Sequence, residues 1–285
     1  MSRDDVLITV DGLRAELAGD HPPVVLDVRW RLGEEPGAGR RRYDAAHLPG
    51  ARFLDLESVL TTHTDDPRDG RHPLPDVATL QHGLGTVGVR EDDDLVVVDE
   101  AGSFAAERAW WVLTWAGLRV RVLDGGLAAW TAAGGPTDAE VVTPPTSSPV
   151  LTTGHLPVLT ADVAAALARD GVLLDARAAE RYRGETEPLD PRAGHVPGAR
   201  NLPAAGLFAA DGTLPDDESL TDAVDAAGAG DPDRPVGVYC GSGVSAARDV
   251  LALAALGRPA ALFPGSWSAW SNDPDRPVAT GADPG

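Results

Sequence analysis

The sequence predicts an α/β protein of two similar domains, each a mostly parallel sheet flanked by helices. Three observations support this fold class. The chain has 285 residues, of which 43% are hydrophobic, so it is long and apolar enough to build two ordinary cores. The second half repeats motifs of the first half. Within each half, apolar runs typical of buried strands alternate with helical segments, the pattern of parallel sheets covered on both faces.

The repeat consists of three segments that occur in the same order in both halves. The first is a strand pattern ending in Asp-x-Arg, followed by a loop and His-x-Pro-Gly-Ala-Arg. The second is a buried-strand run, a short Gly/Ser loop and an alanine-rich helix, and the third closes with Gly-x-x-x-x-Trp. The paired segments are residues 24–56 with 172–203, 95–113 with 236–253, and 122–130 with 262–270. Three collinear matches predict two domains of one architecture.

The segment between the halves is rich in Pro, Thr, Ser and Gly and has no apolar period, which is the composition of a linker. We therefore predict an N-terminal domain at residues 1–138, a linker at 139–157 and a C-terminal domain at 158–285. Each domain has an ordinary size.

Composition and charge exclude several classes of function. A net charge of -20 would repel nucleic acid and anionic membranes, so small molecules or proteins are the expected partners. The single cysteine excludes a disulfide framework and a zinc site of clustered cysteines, and lysine is absent, which excludes Schiff-base and P-loop chemistry. We expect no metal or organic cofactor. With neither a signal peptide nor a membrane span in the pattern, we expect a cytoplasmic location.

Cys240 is the candidate nucleophile. It follows a strand pattern and precedes a helix, in the loop Cys-Gly-Ser-Gly-Val-Ser. Gly241 and Gly243 let the backbone curl so that amide N–H groups point inward, and the helix N-terminus adds its positive end. Such a cradle stabilises a thiolate. The alternative, a cysteine that only packs in the core, does not explain the glycine-rich loop.

These motifs resemble the tandem-domain rhodanese family over essentially the whole chain, and the loop YCGSGVSAA is similar to that of 3-mercaptopyruvate sulfurtransferases. The resemblance implies a rhodanese-like fold for both domains and a persulfide on Cys240. It also implies a catalytically inactive N-terminal domain, because Asp99 falls where Cys240 stands in the second copy.

Within that family the residues after the cysteine separate the sulfur donors. Thiosulfate-preferring members carry Arg and Lys there, whereas this chain has the neutral pair Gly241 and Ser242. The resemblance therefore implies 3-mercaptopyruvate as donor, with Gly241, Gly243, Val244 and Ser245 forming part of its binding loop. Thiosulfate remains the alternative donor.

The resemblance also implies two substrate arginines. Arginine binds a carboxylate through two parallel donors, which suits the carboxylate of mercaptopyruvate. Arg181 matches the first family arginine and Arg192 the second, although the stretch between them is two residues longer than expected. Arg183 is the alternative to Arg192.

A serine, histidine and acid relay is associated with the same branch. Ser242 matches the serine and His72 the histidine, which would place the site at the interface between the domains. Glu57 fits the family spacing from His72, with Asp55 as the alternative carboxylate. Histidine is suited to moving protons near neutral pH.

The implied reaction is a double displacement in which Cys240 takes sulfur from the donor and passes it to cyanide, a small thiol or reduced thioredoxin. One alternative is a module that carries a persulfide to one partner without turnover. Another is a cysteine phosphatase, but such enzymes need an arginine six residues after the cysteine, where this chain has Ala246. The Asp-x-Arg pairs are expected to be structural, because they recur in the half without a nucleophile.

Overall fold

A computed structural model describes residues 1–285 and shows two α/β domains, which confirms the predicted fold class. The N-terminal sheet has five parallel strands in the order β1-β5-β4-β2-β3. Its strands are β1 (Leu7–Ile8), β2 (Val24–Asp27), β3 (Arg52–Phe53), β4 (Asp94–Val98) and β5 (Arg119–Leu123). Its helices are α1 (Arg3–Val6), α2 (Val10–Leu17), α3 (Ala38–Ala45), α4 (Leu56–Val59), α5 (Val77–Thr86), α6 (Ala105–Trp115) and α7 (Gly126–Ala132).

The C-terminal sheet has four parallel strands in the order β7-β6-β8-β9. The strands are β6 (Val172–Asp175), β7 (Arg200–Asn201), β8 (Val236–Tyr239) and β9 (Ala260–Leu262). Val158 forms a parallel bridge to Leu262, at the position that β1 holds in the first domain. The helices are α8 (Ala161–Asp170), α9 (Ala179–Tyr182), α10 (Asp217–Ala226), α11 (Ala246–Ala255) and α12 (Ser266–Asn272). None of the helices is both long and apolar enough to cross a membrane.

The Asp-x-Arg pairs stabilise the end of the second strand of each repeat. Arg29 binds Asp27 at 2.8 Å, and Arg177 binds Asp175 at 2.6 Å, with all four side chains nearly inaccessible to water. Charges buried this deeply need a partner with good geometry. Since each arginine also donates to a backbone carbonyl, Ala46 or Gly194, the pairs serve the fold.

The two repeated histidines are equally structural. His47 stacks on Tyr43 and His195 on Tyr182, with ring centroids 3.9 and 3.8 Å apart. In each copy the histidine Nδ1 also contacts the carbonyl of the tyrosine on which it stacks. Neither histidine lines the cavity described below.

The domains meet along α6 and α11, the helices that follow the paired loops. Arg108 of α6 is fully buried at this interface, where it donates to the carbonyls of Gly243 at 3.1 Å and His72 at 3.0 Å. The segment 139–157 contains no helix or strand and lies against the first domain, where the amide of Ser147 donates to Gly85.

Candidate active site

Cys240 lies directly after β8 and is 2% exposed, at the carboxyl end of a parallel sheet, where such folds bind ligands. The amide of Gly243 donates to Cys240 Sγ over 3.1 Å. One amide of the predicted cradle therefore reaches the sulfur, and the first turn of α11 begins three residues later. The positive ends of backbone dipoles therefore lie on the side of the sulfur.

The loop has this shape because Gly243 and α12 impose it. Gly243 has φ +78°, and a Cβ there would lie 2.5 Å from the carbonyl oxygen of Pro264, so a larger residue would not fit. Ser266 Oγ accepts the amide of Cys240 at 3.1 Å, and the amide of Trp267 donates to the carbonyl of Cys240. Ser266 itself has φ +53°, an unusual conformation for a residue with a side chain.

A series of hydrogen bonds, here called the relay, links the first domain to the loop that contains Cys240. Ser242 Oγ lies 2.8 Å from His72 Nδ1, and His72 Nε2 lies 3.3 Å from Glu57 Oε1. Because an ionised carboxylate only accepts, we assign the ring proton to Nε2, which leaves Nδ1 to accept from the hydroxyl of Ser242. The sequence prediction of these three residues agrees with this placement. Asp55 instead caps α4 through the amide of Ser58.

Burial and hydrogen bonding act in opposite directions on the pKa values of His72 and Glu57. Burial lowers the pKa of His72, although the hydrogen bond and charge of Glu57 act in the opposite direction. Burial alone would raise the pKa of Glu57, but contacts with His72 and Trp30 outweigh it and hold that pKa below its ordinary value. His72 is thus a neutral base at pH 7, facing a charged carboxylate.

A cavity of about 410 Å³ opens above Cys240 between the two domains. Its lining includes the arginines Arg71 and Arg181 and the aromatic residues Trp30 and Phe104. Of the predicted loop residues, Gly241, Ser242, Val244 and Ser245 line the cavity, whereas Gly243 faces the sulfur instead.

The two arginines converge on Gly241. A Cβ at that glycine would lie 3.1 Å from Arg71 Nη2 and 3.5 Å from Arg181 Nη1. Asp190 contacts both arginines and Glu187 binds Arg181 at 2.6 Å, which holds the two guanidinium groups side by side. Neither Arg71 Nη2 nor Arg181 Nη1 has a hydrogen-bond partner, and the Nε atoms of both are buried without one. Unused donors beside a nucleophile suit an anionic ligand.

Arg192 does not reach the cavity, so the prediction that it binds substrate is not supported by its position. Its guanidinium donates to four carbonyls at the end of α12 and just beyond: Trp270, Ser271, Asp273 and Arg276. A helix end leaves such carbonyls without partners, and Arg192 satisfies them. The alternative, Arg183, forms an exposed pair with Glu185 and is also outside the cavity.

The first domain has Asp99 at the position of the nucleophile. Asp99 Oδ2 accepts the amide of Ala106 at 3.0 Å, with the same polarity as the amide of Gly243 that donates to Cys240 Sγ. Burial, reinforced by the nearby Glu107, raises the pKa of Asp99 to about 8. A carboxyl group here offers no sulfur to load.

Sequence reasoning missed Arg71 and Ser266. Arg71 directly precedes His72, so the same loop supplies one side chain to the relay and one to the cavity. The only signal available was its adjacency to a residue already selected. Ser266 lies in the closing segment of the repeat, where the first domain has Gly126, also at positive φ.

No cluster of three or more His, Cys, Asp or Glu side chains in residues 1–285 is arranged to hold a metal ion.

Comparisons with known proteins agree with the fold. The rhodanese-like domain family matches residues 9–133 and 159–273. A Mycobacterium tuberculosis protein named as a thiosulfate sulfurtransferase, SseB, is 47% identical over 98% of this chain and 99% of its own. A Pseudomonas aeruginosa protein named as a 3-mercaptopyruvate sulfurtransferase is 44% identical, covering 96% and 98%. The crystal structure of SseA from Escherichia coli, a 3-mercaptopyruvate sulfurtransferase, has a TM-score of 0.78 at 33% identity and covers 92% and 98%.

Proposed function

Because the chain belongs to the rhodanese-like family of sulfurtransferases, we propose that it transfers sulfur from 3-mercaptopyruvate to a thiophilic acceptor through a persulfide on Cys240. The observation that carries this proposal is the combination of two unused guanidinium donors beside Gly241 with the Ser242 and His72 hydrogen bond. A donor with a carboxylate and a ketone uses both features, whereas a simple dianion uses only the first.

In this proposal Arg71 and Arg181 bind the carboxylate of the donor. Their free Nη atoms flank the space above Gly241, and arginine suits a planar carboxylate because it donates in a fixed fork. Gly241 has no side chain to occupy that space. The carboxylate held there leaves the thiol end of the donor directed at the neighbouring Cys240, and the ketone within reach of Ser242.

The sulfur transfer breaks one bond and forms one. The thiolate of Cys240 attacks the donor sulfur, the bond between that sulfur and carbon breaks, and the electron pair passes to carbon to give the enolate of pyruvate. The hydroxyl of Ser242, which donates to His72 before the donor binds, turns to donate to the enolate oxygen and stabilises it. The proton from the donor thiol moves to the carbon, by way of Ser242 and His72, so that pyruvate leaves and the persulfide anion remains on Cys240.

An acceptor then attacks the outer sulfur of the persulfide and regenerates the thiolate of Cys240. Cyanide, a small thiol and reduced thioredoxin are the acceptors that we infer, and the single cysteine fits a reducing cytoplasm. The N-terminal domain, residues 1–138, supplies Arg71, His72 and Glu57 but no second nucleophile, which supports a binding role for it.

Thiosulfate is the second candidate donor, favoured by the name of the Mycobacterium tuberculosis relative. The two arginines could also hold its charged end. Transfer from thiosulfate releases sulfite and produces no enolate, so it has no use for the Ser242 hydroxyl. The hydrogen bond between Ser242 and His72 therefore favours mercaptopyruvate.

Steady-state kinetics with both donors and cyanide test the proposal. We expect kcat/KM for 3-mercaptopyruvate to exceed that for thiosulfate by at least about tenfold. Ser242→Ala should reduce turnover of mercaptopyruvate and leave thiosulfate turnover little changed, and Cys240→Ser should abolish both. Equal or higher efficiency with thiosulfate would overturn the donor assignment, and activity in Cys240→Ser would overturn the mechanism.

A further inference from the structure

The carboxylate that supports His72 has a second histidine on its other oxygen. Glu57 Oε1 lies 3.3 Å from His72 Nε2 and accepts from Trp30 Nε1 at 2.5 Å, while Glu57 Oε2 lies 2.9 Å from His63 Nε2. The histidine rings lie 6.4 Å apart. The series of hydrogen bonds that begins at Ser242 thus continues past Glu57 to His63.

The two histidines differ greatly in their contact with solvent. The side chain of His72 is 5% exposed, that of Glu57 40% and that of His63 57%. Each successive residue of this relay therefore lies closer to solvent than the one before it. His63 has no other polar partner, and its ring serves no packing role in the core.

We propose that His63 is a positioning residue for the relay: it holds the second oxygen of Glu57, orients the first toward His72, and forms the solvent-facing end of the chain. This inference rests on the proposed sulfur transfer for its role in turnover. With Glu57 fixed from both sides, His72 stays in the tautomer that accepts from Ser242.

The same geometry links the charges of the two histidines. His63 and His72 contact the two oxygens of one carboxylate, so any positive charge at either ring competes for the negative charge of Glu57. The other charges acting on His72 are Arg108 and Arg71, both cations that lower its pKa. A glutamine at position 63 cannot carry a charge, so Glu57 is then expected to attract a proton on His72 more strongly and to keep it there to higher pH.

Two measurements test this role. His63→Ala should lower kcat with 3-mercaptopyruvate about fivefold and leave KM unchanged, because a hydrogen bond to the relay is lost but no substrate contact is. His63→Gln should restore most of that loss, since its amide can donate to Glu57.

By NMR titration, the pKa of His72 should be higher in His63→Gln than in the wild type. His82→Gln, an exposed histidine of the same domain, is the matched control and should change nothing.

A double-mutant cycle separates a specific contact from a general effect. In a Glu57→Gln background, His63→Gln should no longer shift the titration of His72. If His72 titrates at the wild-type pH in His63→Gln, the role of His63 is overturned although the sulfur transfer stands. If the titration shifts but the wild type turns over neither donor, the proposed function is wrong and the contact between His63 and the relay is supported.

Discussion

Two neighbouring residues of one loop, Arg71 and His72, serve the two halves of the proposed chemistry. Arg71 points into the cavity beside Arg181, and His72 points to Ser242. Asp190, 9% exposed, joins Arg71 of the first domain to Arg181 of the second. A buried carboxylate shared by two arginines fixes both, and Arg71 Nη2 and Arg181 Nη1 keep free N–H donors for an anionic donor molecule.

Substitutions of the arginines test which of them binds the donor. Arg71→Met should raise KM for 3-mercaptopyruvate about 10- to 100-fold, because a charge-assisted hydrogen bond is lost. Arg192→Met should leave KM unchanged and lower the free energy of unfolding by about 1–3 kcal/mol, because carbonyls at the end of α12 lose their donor. Steady-state kinetics and urea unfolding provide the two readouts. A large KM effect in Arg192→Met with no loss of stability would contradict the assignment.

The predicted residues that the structure places at the cavity share a feature. Cys240 and Ser242 lie in a short loop whose place is set by the strand before it and the helix after it, so local pattern was sufficient. Arg192 has a long side chain in an irregular segment, and its partners come from α12, some 80 residues later. Nothing local to Arg192 shows that those carbonyls need a donor.

At the scale of elements, the two paired loops direct a backbone amide at chemically different groups. After β8 the loop holds Cys240 with an amide directed at its sulfur, and after β4 it holds the carboxyl of Asp99. Glu107 of α6 lies near Asp99 and pairs at 3.3 Å with Arg248 of α11, across the domain interface. Loss of contact with water raises the pKa of Asp99, and the neighbouring acid Glu107 raises it further.

That raised pKa predicts how stability depends on pH. Asp99 keeps its proton in the folded protein up to about pH 8, whereas in the unfolded chain it loses the proton near the ordinary value of 3.8. Between these values the unfolded chain binds fewer protons, so stability falls as pH rises. Asp99→Asn should reduce this fall, measured by urea unfolding at pH 5 and pH 8. Asp65→Asn, at an exposed position, is the control. An unchanged pH dependence in Asp99→Asn would contradict the buried, protonated state.

At the scale of the whole molecule, the site exists only where the domains meet. The second domain supplies Cys240, Ser242 and Arg181, and the first supplies Arg71 and the Glu57 and His72 pair. Arg108, fully buried, joins the carbonyls of His72 and Gly243, so it fixes the relay against the loop that contains the nucleophile. The first domain thus contributes Arg71, His72 and Glu57 from outside the loop that follows β4, and that loop adds Phe104 to the lining of the cavity.

The repeat was sufficient to predict both domains and their parallel sheets, because each copy carries its own strand and helix pattern. That the two domains pack together at the site was predicted only because His72 matches a family histidine. The side chains that fix it, such as Arg108 and Arg248, lie on helices that look like ordinary amphipathic segments, and their partners belong to the other domain. Long-range contacts of this kind have no local signal.

The most direct test of the central claim is the intact mass of the protein after incubation with 3-mercaptopyruvate and no acceptor. The proposed mechanism predicts a gain of one sulfur atom per chain, located on Cys240 by peptide mapping and removed by cyanide, with one pyruvate released for each sulfur gained. Cys240→Ser should gain none. Pyruvate released without a sulfur on Cys240, or a sulfur gained by Cys240→Ser, would contradict transfer through a persulfide at this residue.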